Sequence, residues 1–189
     1  MRHPTGRYFM LLLVAGLSTG VLEPRTVQVP LDQEEYLDAE DWFQAGLTLN
    51  GAGNYREAVV AFSRSISIEP GNALAWLNLG TSQALSGDYG SAIDALRKAV
   101  RLDPNLALGF ANLAEVCFKA GRYRDAVEAY TALIVLWPDD PNAHYKRGLA
   151  YLLLNDPGKA QAEYLSLKIV DPALAGKLLQ AIYQGAADN

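Results

Sequence analysis

The chain has 189 residues, half of them apolar, with 16 Lys and Arg against 21 Asp and Glu and a net charge of −5. That length is one or two domains, and the charge leaves no general excess of cation for phosphates, so nucleic acid is not an expected partner. A single cysteine, Cys117, excludes an intramolecular disulfide and, with His3 and His144, cannot complete a four-ligand Cys/His zinc site. Apolar content this high with nearly balanced charge also excludes a disordered chain.

In chain order, Arg2 and Arg7 precede an uncharged, mostly apolar run from Tyr8 to Leu17, followed by Ser18, Thr19 and Gly20. A positive start, a short apolar stretch and small residues are the pattern of a secretory signal peptide over residues 1–20. The alternative is an uncleaved membrane anchor through residues 8–22, although that stretch is shorter than the roughly 20 residues a crossing helix needs. Either way the arginines hold the N-terminus in the cytoplasm and direct the remainder across, so an exported, periplasmic or otherwise extracytoplasmic location is expected. Residues 21–38 form a connector rich in proline and acid, with Pro24, Pro30, Asp32, Glu34, Glu35 and Asp38. The prolines keep it extended. The spacing of Asp32 and Glu35 predicts a capped helix start near Gln33.

From there a 34-residue period dominates. Pro70, Pro104, Pro138 and Pro172 keep it, as do Ala58, Ala92, Ala126 and Ala160. Gly46, Gly80 and Gly148 share a column with Ala114, and Trp42, Trp76 and Phe110 share one with His144. Phe62, Leu96, Tyr130 and Tyr164 form another, and Gly53, Gly87 and Gly121 each precede a tyrosine by two residues. Such a period predicts stacked supersecondary units. Each reads as two helices of about 13 residues joined by a short turn, with small residues where the two backbones approach closely. In the fourth unit Asn155, Asp156 and Pro157 replace the Gly-x-Tyr turn, with Asp156 suited to cap the next helix and Pro157 to its first position. From residue 173 to the end, Leu174, Leu178, Leu179, Ile182 and Tyr183 predict a capping helix with a polar tail.

These columns resemble the tetratricopeptide repeat family, whose 34-residue pattern of Trp, Leu-Gly, Tyr, Ala, Phe and Pro they reproduce over about residues 39–172. The resemblance implies an all-α right-handed solenoid of four repeats, 39–72, 73–106, 107–140 and 141–174, with the cap at 173–189. It also implies a concave surface, lined by the first helix of each repeat, that takes a peptide or another protein. By register, the sixth position of successive repeats reads Gln44, Asn78, Asn112 and Lys146, the fifth Phe43, Leu77, Ala111 and Tyr145, and the second Glu40, Leu74, Leu108 and Asn142. Leu74, Leu77, Leu108, Phe43 and Tyr145 would supply an apolar floor. The amides would form a polar rail able to bond a peptide backbone regardless of its sequence. The clamp by which some members grip a C-terminal carboxylate does not carry over, because Leu77 and Thr81 stand where its first Lys and Asn belong.

Catalytic chemistry is not expected. Pro157-Gly158-Lys159-Ala160 lacks the glycine spacing and hydroxyl of a phosphate loop. His144 occupies an aromatic core column, and Cys117 is placed as a small buried thiol. The expected function is a non-catalytic, cofactor-free interaction module serving as an exported scaffold or assembly factor. The alternative is an accessory or targeting subunit of an envelope enzyme whose active site lies on another chain.

Overall fold

In the computed structural model, which describes residues 9–11, 27–29 and 37–187, the first helix starts at a capping box. The Asp38 carboxylate accepts from the Asp41 amide at 2.9 Å, and Asp41 accepts from the Asp38 amide at 3.1 Å. Helix α1 therefore runs Ala39–Gly51, and the start anticipated near Gln33 lies outside the described residues. Of the anticipated signal segment only Phe9–Leu11 is described. It forms a short strand β1 antiparallel to β2, Val27–Val29, with Phe9 opposite Val29. This ladder between the N-terminal apolar run and the proline-rich segment was not anticipated, although the aromatic and β-branched residues in it favour extended backbone.

The repeats follow as helix pairs: α1 with α2 (Tyr55–Ile68), α3 (Ala73–Leu85) with α4 (Tyr89–Leu102), α5 (Ala107–Lys119) with α6 (Tyr123–Leu136), and α7 (Pro141–Leu153) with α8 (Pro157–Val170). The hairpin turns need one residue in the left-handed region. Gly53, Gly87 and Gly121 supply it with φ of 79°, 92° and 73°, and in the fourth turn Asn155 does so with φ 59°, which asparagine tolerates better than most residues. Asp88 and Asp156 then cap α4 and α8 by accepting from the Ser91 and Lys159 amides, with Pro157 in the first turn of α8. Between repeats, Asn72 and Asp140 cap α3 and α7 in the same manner.

Within each pair the backbones nearly touch. A Cβ added to Gly80 would lie 2.7 Å from Leu96 Cγ and 3.0 Å from the Ala92 carbonyl oxygen, and Ala58, Ala92, Ala126 and Ala160 are completely buried. Each helix packs chiefly on its neighbours in sequence, as a solenoid requires. The core is a stack of three clusters: Trp42, Phe62 and Leu79 in the first two repeats, Leu96, Leu113, Tyr130 and Leu133 in the middle, and Leu167 with Leu178 at the end. The column that meets the preceding helix holds buried Ala75, Gly109 and Ala143 but exposed Asp41 in α1, the first of the described helices.

At the other end α9, Pro172–Ala187, packs on α7 and α8. Its inward stripe is Ala175, Leu178 and Ile182, with Leu174 beside it. Tyr183, expected on that face, is exposed, because one residue beyond Ile182 is a turn of about 100° away from the core. Leu178 fills the space over Gly148. Truncating it to alanine should destabilise the protein by roughly 2–5 kcal/mol, whereas Tyr183→Ala should change little. Urea unfolding checks this, and equal midpoints for the two variants would remove α9 from the cooperative core.

Candidate partner-binding groove

Successive first helices touch directly, α1 with α3 and α3 with α5, whereas each second helix packs mainly on the first helices beside it. The first helices therefore line the inner, concave side. On this surface Leu74 and Leu108, at the same position of successive repeats, are 50% and 54% exposed. Leu77 is not on it: with 4% exposure it belongs to the core, where it joins the cluster that holds Ile93, Leu96 and Leu113. Phe43 is half-buried with its ring 5.8 Å from that of Phe62, and half-buried Tyr145 packs against the Leu167–Leu178 cluster. The apolar floor is thus narrower than anticipated and centres on Leu74 and Leu108.

The amide rail is engaged within the protein. Gln44 Nε2 donates to Glu40 Oε1 at 2.6 Å, and Asn78 Nδ2 donates to the Leu74 carbonyl at 2.8 Å. Asn112 Nδ2 crosses to the preceding repeat and donates to Thr81 Oγ1 at 3.0 Å. Lys146 pairs with Glu115 of the preceding repeat, whose other oxygen is 3.5 Å from Lys119 Nζ. Between the first two repeats Ser82 Oγ lies 2.9 Å from Asn50 Oδ1. Every junction between first helices of successive repeats therefore carries a polar rung, joining residues 32, 31 and 31 apart. Each amide thus commits one N–H inside the protein, while the oxygens of Asn78 and Asn112 remain acceptors in the groove.

Glu115 titrates below its ordinary value: burial pushes the carboxyl up, but the hydrogen bond and charge of Lys146, with Lys119, outweigh it. Tyr130, whose hydroxyl donates to Glu115 at 3.4 Å, is raised far above the usual phenol range by burial and by that carboxylate. Cys117 lines a cleft of about 170 Å³ on the outer side with Arg97, Phe110 and Asp125. Burial, reinforced by Asp125, pushes its thiol up to about 11, which leaves it a poor nucleophile at neutral pH. Among the described residues no group of three His, Cys, Asp or Glu is placed to hold a metal ion.

One polar cluster was not anticipated. His144 is packed, as expected, but its Nε2 donates to the Pro138 carbonyl at 2.9 Å, and its Nδ1 lies 2.7 Å from Glu163 Oε2. Arg147 donates to Glu163 Oε1 from Nε at 2.9 Å and to Thr131 Oγ1 from Nη1 at 3.0 Å. The bond to Pro138 repeats the one by which Trp76 Nε1 donates to the Pro70 carbonyl at 2.9 Å, so His144 keeps the indole's role. The signal lay in three columns changing together: Trp or Phe to His144, Ala or Leu to Arg147, and Ala to Glu163.

Family models of the tetratricopeptide repeat match residues 43–107 and 114–155. The chain belongs to the tetratricopeptide repeat family. Among solved structures, MamA superposes with TM-score 0.68 at 24% identity over 72% of this chain and 75% of MamA. A tetratricopeptide repeat protein from Parabacteroides merdae gives 0.72 at 20% identity over 79% of this chain and 60% of its own. Cut9, in a hetero-tetramer with Hcn1, gives 0.62 at 22% over 77% of this chain and 30% of the matched one. A comparison with curated proteins gives no significant match. This repeat fold is a protein-interaction scaffold.

The sign of the Glu115 shift fixes a pH dependence. A carboxyl depressed in the folded state stabilises above its unfolded value, near 4.5, and that stabilisation is lost as pH falls through the folded value. Lys146→Met should therefore cost about 1 kcal/mol or less at pH 7, since the pair is partly solvated, and the deficit should shrink as pH falls below 4.5 toward 2.5. Unfolding curves at the two pH values check this, and an equal deficit at both would show that the loss is one of packing.

Proposed function

We propose that the protein is a non-catalytic, exported interaction module that holds an extended segment of a partner protein along its concave face. The observation that carries this reading is the pair Leu74 and Leu108, two large apolar side chains left in solvent at equivalent positions of neighbouring repeats, beside the acceptor oxygens of Asn78 and Asn112. Apolar pockets for spaced side chains and polar groups for the backbone between them are what an extended ligand needs. The family supports a protein partner, and Cut9 with Hcn1 is an instance of this architecture in a complex. Export rests on Arg2, Arg7 and the apolar run after them. No described helix is long and apolar enough to cross a membrane.

Capture of a partner from envelope extract, followed by calorimetry, tests the groove. Replacing both Leu74 and Leu108 by lysine should weaken binding by roughly tenfold to a few hundredfold, because about half of each side chain is left for a ligand to bury and each is then worth about 0.75–1.5 kcal/mol. A lysine at exposed Asp94 on the outer side should do little. Undiminished affinity in the double variant would move the partner off the concave face. Export is checked by alkaline phosphatase fused after residue 38, which should be active, whereas an inactive fusion in a strain that exports a control would place the repeats in the cytoplasm.

A further inference from the structure

The outer face of the second helices changes character along the chain. At the position of Ser67 the later repeats carry Arg101, Val135 and Ile169, and one turn earlier stand Ser63, Arg97, Thr131 and Leu165. Val135 is 75% and Ile169 87% exposed, and Leu165 and Trp137 are each more than half exposed. The fold does not require apolar side chains there, since the first two repeats are built with serine and arginine at the same positions. Helix α9 does not cover them, because it packs on α7 and α8 with other residues. With Val170, these side chains expose roughly 600 Å², at the upper end of what one monomer leaves in a single patch and close to the ~800 Å² each partner gives to a standard interface.

We propose that this outer face of repeats three and four is the interface between two copies of the chain, paired about a two-fold axis. The rim carries both signs, with exposed Lys168 on α8 and exposed Asp139 after α6. A two-fold pairing can set each lysine against an acid of the other copy, which makes the patch self-complementary. A bilayer surface fits less well, because Asp139 would have to be desolvated and the chain as a whole is acidic. The patch lies opposite the concave groove, so the dimer keeps two grooves open and binds a multivalent partner with avidity.

The test is sedimentation of the full chain at about 50 µM, a concentration at which a standard-size interface is populated, beside Val135→Arg/Ile169→Arg. Both positions are largely exposed and arginine is what repeat two already carries there, so the variant should fold. The wild type should be dimeric and the variant monomeric, with a dissociation constant raised at least roughly thirtyfold. Trp137 emission, assigned with Trp137→Phe, should be shielded from iodide in the wild type and not in the variant. A monomeric wild type, or a dimer that the double arginine leaves intact, overturns the proposal. So does shielding of Trp137 that arises only with phosphatidylglycerol/phosphatidylethanolamine vesicles. Because the variant keeps Leu74 and Leu108, loss of the dimer and loss of groove binding are read separately.

Discussion

The close approach of the two helices within each repeat is the constraint on which the rest depends. Gly80 lies against Leu96 and the Ala92 carbonyl, Gly46 against Phe62 and Gly148 against Leu178 and Glu163, while Ala58, Ala92, Ala126 and Ala160 are completely buried, so a large residue in either column would force the packed helices apart. That approach leaves room beside it for Phe62, Leu96 and Tyr130, which fill the middle of each unit. Once the pairs are set, each presents one face to the next, and stacking supplies the core that no single pair could bury. At the two ends of the described helices the demand is met differently, by an exposed aspartate in α1 and by Leu178 of α9 over Gly148.

The repeat architecture was legible because its determinants recur. Starts at residues 39, 73, 107 and 141 were given by the prolines, and four helices begin at those positions. The positive-φ turns were marked by glycine, and in the fourth by asparagine. What recurrence could not show is whatever joins different columns. The rungs of the groove link residues 31 or 32 apart, diagonally across the register, so comparison at 34-residue spacing does not pair them. The burial of Leu77 was hidden for a different reason: the other members of its column, Phe43, Ala111 and Tyr145, are all only half-buried, so the column itself does not mark a core position.

The polar residues of the concave face therefore have two tasks. Ser82, Asn112 and Lys146 tie each first helix to the one before it, which braces the curvature of the groove, while the oxygens of Asn78 and Asn112 and the two exposed leucines remain for a ligand. A surface already braced in this way loses little freedom on binding, which favours affinity. The fourth repeat is stiffened further by His144, Arg147 and Glu163, whose bonds join α6, α7 and α8 beneath the apolar outer patch.

The primacy of the helix–helix approach is open to a test of sign. In an ordinary exposed helix, Gly→Ala stabilises by up to about 1 kcal/mol. Gly176 in α9 has open space around it, so Gly176→Ala should raise the urea midpoint. At Gly80 the added methyl meets Leu96 and the Ala92 carbonyl, and the loss from overpacking, about 1–3 kcal/mol, should reverse the sign and lower the midpoint. Stabilisation of both variants to a similar extent would contradict the account, because it would mean that the small-residue column is not what holds the two helices at their spacing.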